Sequence, residues 1–261
     1  MQNRIEIPQT AAIFHPERDH TTTTGKYVLT PDKDILMELQ DNGWVPVQYT
    51  EQKRQKKTLE RGRAGTQKYL VRYSHPDFTS EEGDFSLLQI SSRDGTTPFQ
   101  LRGGFFRFAC ANGLVVGSDA FTPFRVRHKG NAIDIINEFM KGIQERVANV
   151  YSTIEQRQAT QMTELQQIEF AREAIQLRFP NRDSLPKAEL VLVPRRSQDQ
   201  GDSVWNVFNR VQEHLVQCDR IEIPWTNKHG VEKTRKPKAL STLNSVQFNE
   251  QLWNASSRYV V

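Results

Sequence analysis

Apolar residues change their period about halfway along the chain, and that change predicts the layout. In the first half they alternate with polar residues in short runs: Trp44 to Tyr49, Lys68 to Tyr73, Phe85 to Ser91 and Thr96 to Leu101. A period of two over such lengths predicts strands. Asp94-Gly95, between the last two runs, is a hairpin signal because both residues tolerate left-handed backbone. One helix precedes the strands. Thr30 is its N-cap, Pro31 its first residue, and Asp32 and Asp34 lie at the positive end of its dipole. Ile35, Leu36 and Leu39 form its apolar stripe, and Asn42-Gly43 stops it.

The second half has a helical period. Ile133, Ile136, Met140, Ile143, Val147, Val150 and Ile154 recur three and four residues apart, a heptad seam suited to internal or subunit packing. Thr163 and Gln166 have capping-box spacing, and Leu165, Ile168, Ala171 and Ile175 carry a second helix up to Pro180. The pair predicts an antiparallel helical hairpin. Trp205, Phe208, Val211 and Leu215 mark a third helix, and Leu243, Val246, Leu252 and Trp253 a last one. Between these two, residues 220–238 read as irregular and basic. The expected fold is α+β: an antiparallel β-rich module over 1–130 with an early helix, then a helical module over 131–261 packed with it as one unit.

The stretch from Leu101 to Gly130 is the most distinctive. Gly103-Gly104 leads into Phe105, Phe106, Arg107 and Phe108, then Cys110, Asn112 and Gly113. Asn-Gly is a turn signal. Phe124-Arg125-Val126-Arg127 alternates apolar and basic, predicting a strand with a cationic face, and His128, Lys129 and Gly130 close the stretch. RGGFFRFACANGLVVG followed by RVRHKG resembles the phage/plasmid-like family catalogued as domain of unknown function 932. Lys26-Tyr27-Val28, Gly43 to Val47, Pro194-Arg195-Arg196, Trp205 to Glu213, Thr234-Arg235 and Asn249 to Trp253 extend the likeness over nearly the whole chain. Arg93 stands where relatives usually carry His, which weakens any ligand or base role at that position. In the structural motif, Arg107, Cys110, Asn112, Gly113 and His128 are the residues that carry the resemblance. It implies a prophage or plasmid origin and a bacterial intracellular setting. It supplies no activity.

At 261 residues, 36% of them apolar, the chain can bury a real core. No apolar run approaches the roughly 18 residues of a membrane span, and residues 1–16 lack a signal-peptide core. A cytoplasmic protein without membrane contact is expected. Cys110 and Cys218 are too few for a disulfide framework or a cysteine-rich zinc site. The formal net charge is +4 and the pI about 9.1, which permits nucleic-acid binding without requiring it.

The clustering of that charge changes the picture. Lys53, Arg54, Lys56, Lys57, Arg61, Arg63, Lys68 and Arg72 face only Glu51 and Glu60 between residues 51 and 73. Two readings stand for this arm: a solvated charge run, or a phosphate-contacting loop whose Gly62 and Gly65 let it follow a backbone. Arg125, Arg127 and Lys129 form a second cluster, and Lys228, Lys233, Arg235, Lys236 and Lys238 a third. Tyr49, Tyr69 and Tyr73, interleaved with the arm, are stacking candidates for bases. The phenylalanines around Arg107 read as core.

No catalytic set competes with this. Cys110, Asn112 and His128 include the residue types of a thiol hydrolase, but a cysteine in an aromatic run is usually packed and inert. Asp84, Asp94 and Asp119 form no paired nuclease motif, and the six histidines show no ligand spacing. The expectation is a non-enzyme with no cofactor and no metal. It would be a nucleic-acid-binding accessory protein of mobile elements, preferring single-stranded DNA, with homo-oligomers supported by the heptad seam. The alternative is an anti-defence protein that binds a host immune or restriction complex.

Overall fold

The computed structural model describes residues 3–14, 32–52, 68–81, 83–92, 97, 99–107, 124–126, 132–180, 182, 184–226 and 229–260. Its architecture is α+β, and it divides into two compact units. One takes the described residues through 147 and the other those from 148 onward.

The first unit is built on an antiparallel sheet in simple chain order: β1 (Val45–Glu51), β2 (Lys68–Thr79), β3 (Gly83–Ser92), β4 (Phe99–Arg107) and the short β5 (Phe124–Val126). The strands pair as expected, but burial does not alternate: all of β3 and residues 69–74 of β2 are buried, so both faces of the central strands are covered. Tyr69 lies opposite Ser91, Tyr73 opposite Leu87, and Phe85 opposite Phe105. Those positions make one apolar face. Helix α1 (Asp32–Asp41) buries Ile35, Leu36 and Leu39, and Gln89 Nε2 of the sheet donates to the Asp32 carbonyl at 3.5 Å. The helix ends where expected, at Gly43 with φ +84°. A Cβ there would lie 2.7 Å from His75 Nε2, so glycine is required on two counts. Trp44, buried directly after it, packs on His75, Phe78 and Phe85.

The heptad seam is interrupted. Helix α2 (Ala132–Met140) ends before Gly142, whose φ of +72° is incompatible with helix continuation, and α3 (Ile143–Ala159) starts anew. Ile136, Ile143, Val147, Val150 and Ile154 are nevertheless buried, as the seam requires.

In the second unit, α4 (Glu164–Arg178) opens with the capping box. Gln166 N donates to Thr163 Oγ1 at 3.3 Å, and Thr163 N donates to Gln166 Oε1 at 2.8 Å. Helix α4 packs on α5 (Ala188–Leu192), α6 (Val204–Gln217) and α7 (Thr242–Ser256). Their core is aromatic. Trp205 stacks on Phe208 with centroids 6.3 Å apart, and Trp253 meets both edge-on. Such pairs contribute about 0.5–1.5 kcal/mol each beyond their buried area. The Arg157 guanidinium lies 3.5 Å from the centroid of the Trp253 ring and donates to Ser257 Oγ at 2.7 Å.

Candidate nucleic-acid interface

Residues 220–238, expected to be irregular, contain a two-stranded antiparallel ribbon instead: β6 (Ile223–Thr226) and β7 (Glu232–Arg235). Pairing puts Ile223 opposite Arg235 and Trp225 opposite Lys233. Because side chains alternate along a strand, Ile223, Trp225, Lys233 and Arg235 share one face. Ile223 is buried and anchors the ribbon, while Trp225 is 40% exposed and all of β7 is exposed. An aromatic ring is thus held in the open with a cation directly across from it and another diagonal to it.

Two adjoining clefts open beside this face. One, of about 700 Å³, is lined by Trp225, Arg182, Arg235, Ser184 and Glu232 among others. The other, of about 580 Å³, shares Arg182, Ile223 and Arg235 with the first and adds Arg178, Lys236 and Lys238, with no acidic residue among the described residues of its wall. Arg178 is fixed in place. Its Nε donates to the Leu215 carbonyl at 3.0 Å and its Nη2 to the Lys238 carbonyl at 2.8 Å.

The charge of this region is not neutralised. Among the described residues, Arg178, Arg182, Lys233, Arg235, Lys236 and Lys238 form no ion pair with a carboxylate. Arginines elsewhere in the same unit do. Arg195 grips Asp219 through two bonds of 2.8 and 2.7 Å, and Arg196 holds the buried Glu213 at 2.7 Å. The Arg195 guanidinium draws the Asp219 carboxyl below its ordinary value. The Pro194-Arg195-Arg196 motif is therefore spent on structure, in contrast to the ribbon's cations.

The residues expected from sequence fare unevenly. Lys53, Arg54, Lys56, Lys57, Arg61 and Arg63 lie outside the described residues, as do Arg127, Lys129, Cys110, Asn112, Gly113 and His128. Arg125 occupies β5 opposite Gln100. Lys68 starts β2 and is half-buried. Arg107 ends β4, opposite Gly83, and is buried. Phe105 and Phe106 are core, as read.

Three expectations need correction. Tyr69 and Tyr73 are 0% exposed, so neither can stack on a base. They belong to an interior strand whose apolar face is covered, and the Tyr73 hydroxyl donates to Gln89 Oε1 at 2.5 Å. Arg72 is 5% exposed and does not reach solvent. Its guanidinium lies 4.3 Å from the Phe106 ring centroid; burial lowers its pKa, and the Asp84 carboxylate opposes that shift. Tyr49 is half-buried and stacked on Tyr69, with its hydroxyl donating to Glu51 at 2.8 Å. Burial, then Glu51, pushes its pKa well up.

Trp225 itself escaped the sequence reading. Its signal was an isolated tryptophan amid the most basic stretch of the second half.

The chain belongs to the family described as Domain of unknown function (DUF932), which matches residues 20–253. It is 28% identical over 256 residues to two proteins of Escherichia coli (strain K12), UPF0380 protein YafZ and UPF0380 protein YfjQ. Each alignment covers 96% of this chain and 88% of the relative. No solved structure matches the chain.

Proposed function

We propose that this member of the DUF932 family is a nucleic-acid-binding accessory protein that engages single strands through the β6–β7 ribbon. The observation that carries the reading is Trp225, exposed opposite Lys233 and lining a cleft with Arg182 and Arg235, neither of which is ion-paired among the described residues. Single-strand binders combine these two features: a cationic track for phosphates and an aromatic ring on which a base stacks. A duplex keeps its bases stacked on one another and offers the ring nothing, so single strands are preferred. In this proposal the activity serves replication, recombination or transfer of a mobile element inside a bacterial host cell, a setting the phage/plasmid resemblance supports. No helix among the described residues is long and apolar enough to cross a membrane.

The test is fluorescence anisotropy with labelled single- and double-stranded oligonucleotides across a salt series. The wild type is compared with Lys233→Ala/Arg235→Ala and with Lys53→Ala/Arg54→Ala/Lys56→Ala/Lys57→Ala. Affinity for single strands falls by about 0.7 log unit per log unit of salt for each phosphate neutralised. The ribbon variant therefore has a shallower slope, and the second variant reports whether the 53–57 cluster adds contacts. Absence of binding to either strand form near physiological salt overturns the reading and turns attention to a host defence protein as target.

A further inference from the structure

The two clefts beside the ribbon differ in chemistry, and the difference is informative. One holds the exposed ring of Trp225. In the other, smaller cleft the charge is all positive among the described residues: Arg178, Arg182, Arg235, Lys236 and Lys238 line about 580 Å³ together with Phe179, Pro180, Ile223 and Pro237. Five cations are more than one internal phosphodiester needs, since a diester carries a single negative charge. A terminal phosphate monoester carries roughly −1.5 to −2 at neutral pH and three acceptor oxygens. Arg178 is locked by the Leu215 and Lys238 carbonyls, so part of the pocket's charge is pre-organised rather than recruited on binding.

We propose that this cationic pocket takes the terminal phosphate of a nucleic-acid strand while the base at that end stacks on Trp225. The inference rests on the nucleic-acid reading above and adds to it that the site recognises strand ends. Arg182 and Arg235 line both clefts and join the phosphate subsite to the base subsite. A 5′-phosphate and a 3′-phosphate share this chemistry, and the experiment separates them.

Three single-stranded oligonucleotides of one sequence are titrated by anisotropy: 5′-phosphorylated, 3′-phosphorylated, and hydroxyl at both ends. One phosphorylated form binds about tenfold tighter than the hydroxyl form, the equivalent of one added charge-assisted hydrogen bond. Lys236→Ala/Lys238→Ala brings that oligonucleotide down to the level of the hydroxyl form. Both side chains are exposed, so the fold is spared, and Arg182→Ala gives an independent second variant. Trp225→Ala weakens all three oligonucleotides but keeps the preference among them. Equal binding of all three by the wild type refutes end recognition and leaves the nucleic-acid reading standing. Failure of all three to bind removes both.

Discussion

Replacing Trp225 by alanine isolates the stacking contribution from everything else the ribbon does. The chain has four tryptophans. Trp44, Trp205 and Trp253 are buried in packed cores, and Trp225 is 40% exposed. The ring is only partly packed, so its loss costs less stability than loss of one of the buried tryptophans, and the variant's thermal melt is recorded beside the binding curve. Alanine substitution of a stacking aromatic costs about 1–3 kcal/mol per base. Single-strand Kd therefore rises about 5- to 150-fold, while the salt slope is unchanged because no cation has been removed. Anisotropy with an oligothymidylate measures the first effect. Intrinsic fluorescence gives a second readout, because a base stacked on the exposed ring quenches its emission and the three buried rings are out of reach. Trp225→Phe retains part of the affinity. An unchanged Kd in Trp225→Ala, with the wild-type emission unquenched by saturating oligonucleotide, refutes the stacking argument.

Other consequences follow from the same structure. Arg157→Ala removes a cation–π contact and hydrogen bonds to Ser257 and Thr153 from a buried site, and urea unfolding should register a loss of about 2–4 kcal/mol. Gly43→Ala combines a left-handed φ with a Cβ 2.7 Å from His75, and thermal melting should show at least about 1–2 kcal/mol of destabilisation. Thr163→Ala breaks the capping box and costs about 1 kcal/mol by the same assay. The buried His214 has its pKa lowered by desolvation first, with Arg195 and Arg220 acting the same way and the Val193 carbonyl and Glu213 opposing. The unfolded chain therefore binds a proton more readily than the native one. His214 is neutral in stability terms above about pH 6.5, and stability falls as pH drops below that. In His214→Gln that component of the pH dependence disappears.

Much of the fold was legible because local signals agreed with packing. The Ile35, Leu36 and Leu39 stripe, the Asn42-Gly43 stop and the Thr163–Gln166 box each act within one turn of helix, so no tertiary information was needed. The heptad seam was legible as a burial pattern but not as one helix. Spacing alone ignores Lys141-Gly142, where the backbone turns left-handed. The β6–β7 ribbon was hidden by its own composition. Pro224 argues against a strand unless the strand has a free edge, and the basic residues of β7 mask its alternation. The candidate site moved for a related reason. Tyr69, Val71 and Tyr73 recur at every second position in a run that also holds Lys68 and Arg72, which reads equally as a stacking track or as the inward face of a strand. Burial decides for the second, and only the three-dimensional sheet supplies it.

The most direct test of the central claim is photocrosslinking to a single-stranded oligonucleotide carrying 5-iodouracil, followed by mass spectrometry of the digested adduct. Base stacking on the ribbon gives a zero-length crosslink on the peptide that contains Trp225, suppressed by unlabelled competitor and absent in Trp225→Ala. Crosslinks confined to other peptides, with the ribbon unmodified, would contradict it.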